Sequence, residues 1–393
     1  KGSDNVKEAF AELEFPILKN VPFAEELTFN ASGRYTDYRS YGSDTTYKIG
    51  GIYSPMRWLS LRGSYGTSYR APALFEQFLG STTGFLSAQS TDPCTSLFNV
   101  TNPTIRANCL AQGLPNNFVN NGSVTVIQRG GAEAGLTAET SKNLTFGGVL
   151  QPTLGAFGNL SLAVDYFRVE INGGVSQLGA GTLARGCYNG TRPEYCQFVS
   201  RAPFTGPGTG ALTVTQTYIN IATDIVKGID FVLSYDKEIG PGKLDIGVQA
   251  VKILDRVNQT SPDSEATDFA GSIGNPKWAG TGHIGYDWGS WYARWGIDYI
   301  KGTNDRFLTE PLGYDPAVYD FSVPDYWLHT ASLRFEPSNR YSLTLGIRNV
   351  FDKKPPKITA EDPFVNTIAN VPLQSGWDFR GRTFFVNAQA KIF

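Results

Sequence analysis

The feature that most constrains this chain is a two-residue periodicity kept up over unusually long stretches. At the C-terminal end, within Trp377–Phe393, Phe384, Val386, Ala388, Ala390 and Ile392 fall on one side. Phe385, Asn387, Gln389 and Lys391 fall on the other. In the first half, Leu59, Leu61, Gly63, Tyr65, Thr67 and Tyr69 oppose Ser60, Arg62, Ser64, Gly66, Ser68 and Arg70. Period two is the mark of a strand with two unlike faces. A face with only apolar atoms must be covered, and the fold turns on whether protein or lipid covers it.

The same alternation recurs along the chain and predicts thirteen strands: 6–19, 25–39, 44–53, 59–70, 139–152, 159–171, 212–236, 243–255, 275–287, 291–299, 325–335, 341–348 and the one that starts at Phe384. The seventh is interrupted near Ala222-Thr223, and Ala71 to Phe78 allows one short helix. Short connections lie at 20–24, 54–57, 153–157, 239–242, 288–289 and 336–339. Long ones lie at 71–138, 172–211, 256–274, 302–324 and 350–379, and only 40–43 breaks the order. In a meander, alternate connections lie at opposite ends of the sheet. The tight turns therefore gather at one end and the long loops at the other, the asymmetry of outer-membrane barrels.

Length decides between lipid and protein. Sandwich strands usually run about 5–6 residues. These run to about 10–14, enough to cross a bilayer at a tilt. One face is Leu, Ile, Val, Ala and Gly with aromatic residues near the ends; the other is largely Ser, Thr, Asn, Arg, Lys and Asp. The expectation is an all-β, antiparallel up-and-down transmembrane β-barrel. The absence of any apolar run of 18 residues excludes a membrane-spanning helix and nothing more. Within 393 residues, 43 Gly, 19 Tyr and 25 Phe against one Met agree with an all-β chain. A net charge of −2 gives no nucleic-acid surface. Bacterial single-chain barrels normally have an even strand count, so thirteen points to part of a larger barrel. The start on Lys1, with no visible signal peptide, reads as a mature product, a fragment or part of something longer.

Four stretches then resemble the C-terminal part of TonB-dependent outer-membrane receptors. They are Leu61-Arg62-Gly63-Ser64-Tyr65-Gly66 running into Tyr69-Arg70-Ala71-Pro72-Ala73-Leu74-Phe75-Glu76; Glu139-Thr140-Ser141-Lys142-Asn143; Ile219-Asn220 with Lys227-Gly228-Ile229-Asp230; and Leu345-Gly346-Ile347-Arg348-Asn349-Val350-Phe351-Asp352 followed by Gly381-Arg382-Thr383-Phe384-Phe385. They occur in the family's order over nearly the whole chain. The resemblance implies about thirteen strands of a 22-stranded barrel, with residues 1–393 as its C-terminal part. Neither the family's plug domain nor its TonB-contacting segment is visible. Phe393 departs from the pattern, because Ile392 holds the parity of the family's terminal Phe.

The resemblance implies energy-coupled uptake of a scarce ligand across the bacterial outer membrane, a ferric siderophore or an oligosaccharide. Its implied partners are outer-membrane lipid and the TonB complex acting through the plug. The rival readings are a passive porin-type barrel and a secreted β-sandwich that binds polysaccharide. Candidate ligand-binding residues in the external loops are Arg185, Tyr188, Arg192, Tyr195, Phe307, Tyr314, Tyr319, Phe321 and Trp377. Aromatic rings stack on sugars or aromatic ligands, and Arg pairs with anions. Each of these residues can equally pack a loop or join an aromatic girdle. Arg70 and Arg348 are expected on the lumen face, where the family's residues help hold the plug.

No catalytic motif occurs and no cofactor is expected; His283 and His329, both on strands and far apart, read as structural. No metal site is expected either: Asp263, Glu265 and Asp268 read as a solvated acidic loop before a calcium site. The four cysteines fall in two close pairs, Cys94/Cys109 and Cys187/Cys196, without CxxC spacing. Two local disulfides of an oxidising compartment are the favoured reading, with four reduced thiols as the alternative.

Overall fold

Thirteen long strands follow one another, each antiparallel to the next. In the computed structural model, residues 2–261, 264–373 and 376–391 are described. The strands are β1 (Val6–Val21), β2 (Ala24–Tyr38), β3 (Gly42–Met56), β4 (Leu59–Arg70), β5 (Glu139–Leu150), β6 (Asn159–Gln177), β7 (Leu212–Ile239), β8 (Gly242–Gln259), β9 (Trp278–Trp288), β10 (Trp291–Ile300), β11 (Tyr326–Ser338), β12 (Tyr341–Arg348) and β13 (Thr383–Ala390). Every neighbouring pair in this order is bonded, so the wall is one continuous meander. A sandwich would need two stacked sheets, and that rival falls here.

The register keeps the two faces separate across the whole wall. Leu61 lies opposite Gly148, Gly148 opposite Val164, Val164 opposite Phe231 and Phe231 opposite Ala250, an apolar row through five strands. One residue along, Arg62 lies opposite Gly147, Gly147 opposite Asp165 and Asp165 opposite Asp230. On that polar face Arg62 grips Asp165 with two bonds, Nε to Oδ1 at 2.8 Å and a terminal nitrogen to Oδ2 at 2.6 Å. At β13, Phe384 and Val386 lie exposed on the apolar face. Ile392 and Phe393, on which the departure from the family pattern rests, lie outside the described residues.

Most strand limits agree with the alternation; the differences are local. β6 continues to Gln177 and β7 runs to 28 residues. The interruption expected near Ala222-Thr223 is a pair of register shifts against β6, around Ala222. The turn between β9 and β10 is shifted by one residue, to Gly289-Ser290, because Trp288 and Trp291 pair. Gly289 takes φ +63° there, the backbone a two-residue turn demands. Among the described residues, β1 bonds only to β2 and β13 only to β12.

The two clusters of buried apolar side chains lie almost entirely outside this wall, in the segments that join strands at the long-loop end. Placing a charge on the outward face tests the assignment of faces. Val164→Arg sits mid-strand on the apolar face and should destabilise the protein by about 2–4 kcal/mol in bilayers. Ser234→Arg, on the polar face, should cost less than about 1 kcal/mol. Urea titration of the protein folded in phospholipid vesicles measures both. Equal costs would refute the assignment.

Candidate functional site

The long-loop end carries two packed modules, each with its own buried apolar cluster. The first is built from 71–138 and 178–217. The segment between β4 and β5, an irregular loop by its composition, contains the strands Thr82–Ser87 and Ser123–Arg129 and the helix Pro103–Ala111. The helix starts there because Asn102 caps it, its Oδ1 accepting from the backbone N–H of Thr104 at 3.0 Å and Ile105 at 3.1 Å, with Pro103 in the first turn. Ser123–Arg129 pairs with Thr82–Ser87 on one side and, in parallel, with the start of β7 on the other. β7 therefore passes from this small sheet into the barrel wall without a break.

Two disulfides close the module. Cys94 bonds Cys109 and Cys187 bonds Cys196, with S–S distances of 1.97 Å and 1.98 Å. Helix Pro103–Ala111 presents Cys109, and helix Ala180–Tyr188 presents Cys187. Closing loops of this length stabilises by about 3 kcal/mol each. Leu97, Val124, Leu183, Leu212 and Val214 fill the space between.

At the centre of this packing is an ion pair. Arg201 sends two bonds to Asp92, at 3.0 Å to Oδ2 and 2.6 Å to Oδ1, with the two side chains only 3% and 0% exposed. Its Nε donates to the Tyr188 hydroxyl at 2.9 Å and to Gln112 Oε1 at 3.2 Å, and another nitrogen donates to the Gly210 carbonyl at 2.8 Å. Burial alone would pull the guanidinium down, but the bonds to Asp92 outweigh it and hold it above its ordinary value.

Arg70 fixes the module to the wall. It forks onto Glu139 at 2.7 Å and 2.7 Å, and onto Glu76 at 3.0 Å and 3.1 Å. Glu139 also accepts from the Val175 N–H at 2.7 Å, and Glu76 from the Ala73 N–H at 2.7 Å. The Arg-Ala-Pro and Glu-Thr-Ser stretches are thus two halves of one clasp. Gly130 and Gly131 lie under it: a Cβ on Gly130 would stand 2.2 Å from the Gln77 carbonyl oxygen, and one on Gly131 2.2 Å from that of Tyr218. Asn220, from a third family-like stretch, ties Thr137 to Gly173 through its side chain.

The second module gathers 264–277, 301–325, 349–373 and 376–382. Ile273, Val323, Tyr326, Leu328, Ile358, Val365, Val371 and Trp377 form its core. Asn349 turns the chain out of β12 at φ +56° and holds Lys353 through both side-chain atoms, at 2.9 Å and 2.6 Å. Asp352 accepts from the Arg382 N–H at 3.0 Å, which docks the Gly-Arg stretch. Asp305 is fully buried, and its Oδ1 accepts from the Ile273 N–H at 2.6 Å. Among the described residues, its Oδ2 and that of Asp362, also buried, have no partner besides each other. Burial, and then the neighbouring Asp362, push the Asp305 carboxyl up to about 7, and burial raises Asp362 as well.

The structure separates the candidate ligand residues into two groups. Tyr188, Tyr195, Phe321 and Trp377 are buried and pack the loop cores. Arg185 and Phe307 are exposed; Arg192, Tyr314 and Tyr319 are half-buried. Tyr314, Tyr319 and Phe321 form one aromatic cluster, with centroids 5.2–5.7 Å apart. Arg70 and Arg348 both lie on the polar face; Arg348 stands between Thr330 and Thr383. His283 bonds Asp245 at 3.0 Å, and His329 accepts from the Trp295 ring N–H at 3.1 Å. Asp268 caps its own loop, accepting from Arg256 and Ala270, and Asp263 lies outside the described residues. No group of three metal-ligating side chains occurs among the described residues. Sequence reasoning missed Arg201, Asp92, Asp305 and Asp362. Arg201 and Asp92 are 109 residues apart, and no local pattern joins them.

Comparison with known proteins agrees with this architecture. The family model described as "TonB dependent receptor-like, beta-barrel" matches residues 2–350. A search of curated proteins gives no match. A point mutant of the ferric enterobactin receptor PfeA of Pseudomonas aeruginosa superposes with a TM-score of 0.60 at 14% identity, covering 98% of this chain and 45% of that one. The siderophore receptor PirA of Acinetobacter baumannii gives 0.63 at 12%, with 99% and 47% covered. The copper transporter OprC gives 0.52 at 13%, with 98% and 47% covered. At such identities the likeness is one of fold, and this chain spans a little under half the length of those structures.

Two measurements test the energetics of the modules. Arg201→Ala strands a buried carboxylate and should cost about 3–5 kcal/mol. Hydrogen exchange should show the loss over 82–129 and 180–217 while the wall stays protected. The paired change Arg201→Met with Asp92→Leu should recover most of it. For Asp305, a carboxyl pushed above its unfolded value favours the folded state fully below about pH 4, and that benefit is lost as pH rises through about 7. The second module should therefore loosen between pH 4 and 7, by up to about 1.4 kcal/mol per unit. Asp305→Asn should flatten that dependence, read as exchange rates at 303–323 and 358–372. An unchanged slope in the variant would exclude Asp305 as its source.

Proposed function

This chain belongs to the TonB-dependent receptor-like β-barrel family, and on that premise we propose that it is the ligand-receiving wall and loop assembly of an energy-coupled transporter. The family's members are outer-membrane proteins, and the outer membrane is where this chain resides. The match of residues 2–350 to the barrel family is the observation that carries the reading. Transport by such a barrel is not catalysis, and no residue is assigned a catalytic role.

In this reading, a scarce ligand is captured at the long-loop end and released into the lumen when TonB acts on a plug. The strands described here form the C-terminal arc of the barrel. Further strands of the same protein bond to β1 and β13, because an open edge in hydrocarbon leaves unpaired backbone groups that cost several kcal/mol each. The ligand is a ferric siderophore. Two of the structural neighbours are siderophore receptors by description, and the second module offers rings for an aromatic chelate. Phe307, Tyr314 and Tyr319 make the contact, with Arg185 and Arg192 drawing an anionic complex to the loops.

Uptake of a radiolabelled ferric siderophore by cells that make the whole protein tests this. Uptake should saturate and stop when a protonophore collapses the proton gradient. Uptake indifferent to the protonophore identifies a passive channel. Absent iron uptake with competition by an oligosaccharide moves the ligand class to sugars. The triple change Phe307→Ala, Tyr314→Ala and Tyr319→Ala should weaken ligand binding roughly tenfold or more.

A further inference from the structure

Above the apolar band, four adjacent strands turn basic on their outward face. On β5 that face reads Leu150, Gly148, Phe146, Leu144 and then Lys142. On β6 it reads Leu160, Leu162, Val164, Tyr166 and then Arg168. On β7 it reads Tyr235, Leu233, Phe231, Ile229 and then Lys227; on β8, Leu244, Ile246, Val248, Ala250 and then Lys252. At about 2.3 Å of rise per residue for a strand tilted near 45°, these cations stand roughly 18–28 Å above the tight turns. That is the upper border of an apolar band about 25 Å tall.

The register joins them into one patch. Leu144 faces Arg168, Arg168 faces Lys227, and Ile229 faces Lys252. The flanking strands carry Thr67 and Trp278 at this height. Two further outward cations at this end have carboxylate partners: Lys7 on β1 lies directly opposite Asp37, and Lys301, just past β10 and opposite Trp278, bonds Asp325 at 3.0 Å. Two carboxylates stand among the four cations. Glu170 bonds Arg168 at 2.7 Å, and Asp255 bonds Lys227 at 2.6 Å. Two positive charges remain in excess. Arg168 and Lys227 are direct cross-strand neighbours and each is bonded to its own carboxylate, which leaves the excess charge on Lys142 and Lys252, at the two sides of the patch. Lys252 lies over the Trp278 ring at 5.5 Å, and Phe231 stacks on that ring, so the patch has an amphipathic border.

We propose that Lys142, Arg168, Lys227 and Lys252 bind the phosphate groups of a phosphorylated glycolipid headgroup in the outer leaflet of the membrane. Its chains would lie along the apolar rows below, and its phosphates would meet the basic row. Arg offers the planar fork that phosphate oxygens match, and Lys adds point charges. The match in height, charge and polarity favours a lipid over a soluble anion, which would gain nothing from the apolar rows.

Native mass spectrometry of the full protein in detergent tests the assignment. The probes are a diphosphorylated glycolipid, the same glycolipid dephosphorylated, phosphatidylethanolamine and inorganic phosphate. The diphosphorylated lipid should stay bound, weaken with added salt, and bind at least tenfold more tightly than the two other lipids. Inorganic phosphate should not displace it. Lys142→Gln and Lys252→Gln should each weaken binding about fivefold, with circular dichroism confirming an intact barrel. Arg168→Gln and Lys227→Gln are the second pair, because each strands a carboxylate. Equal binding of the phosphorylated and dephosphorylated lipids, displacement by inorganic phosphate, or unchanged affinity in the Lys142→Gln/Lys252→Gln double variant overturns the proposal. Transport does not enter this assay, so its result is independent of the transport reading.

Discussion

In hydrocarbon no water pairs with the backbone, and each strand must find its hydrogen-bond partners in its neighbours. The rest of this structure depends on that requirement. It forces one continuous meander rather than two stacked sheets. It forces strands long enough to cross the bilayer, and the meander then places alternate connections at opposite borders. It also makes β1 and β13 the two positions of greatest energetic demand, since each has one bonded neighbour among the described residues. The apolar side chains of the wall face outward, so the wall draws its stability from lipid contact and backbone bonding. An interior core is not required.

Above the membrane that arrangement stops working, because water competes for every backbone bond. The loops respond as small soluble domains do. Each module has a buried apolar cluster, and the first adds two disulfides and a buried Arg201–Asp92 pair. Such a pair is dearly desolvated, and it holds only because Tyr188, Gln112 and the Gly210 carbonyl take up remaining donors. The second module has buried carboxyls where the first has an ion pair. Asp305 and Asp362 meet the same desolvation with raised pKa values, since burial disfavours their charged forms.

The wall was legible in the sequence because its pattern is local. Residues two apart share a face, and turns such as 239–242 announce themselves through Gly and Pro. The interruption of β7 near Ala222 was legible for the same reason. The loop interiors were not. Tyr188 and Tyr314 have the same side chain in similar polar surroundings along the chain, yet one is buried and the other half-buried. Only the packing of helix Ala180–Tyr188 against segments far away in sequence separates them. The strand Ser123–Arg129 was hidden too, because its parallel partner on β7 lies some way downstream. The basic row is an intermediate case: its members were visible, but strand register was needed to align them.

Arg70 connects the two regimes. Its guanidinium spends its donors on Glu139 of the wall and Glu76 of the first module, which leaves it poorly suited to be a ligand cation. Two forked, charge-assisted pairs on one planar group also fix the angle between the module and the wall. Glu139 passes that constraint to β6 through the Val175 N–H. A rigid rotation of the first module about the barrel mouth must therefore break charged bonds at Arg70. Among the described residues, the second module has no comparable clasp at Arg348, which lies exposed between two threonines. The second module is held to the wall by packing instead, with Tyr326 and Leu328 of β11 in its buried core and Ile300 of β10 against it.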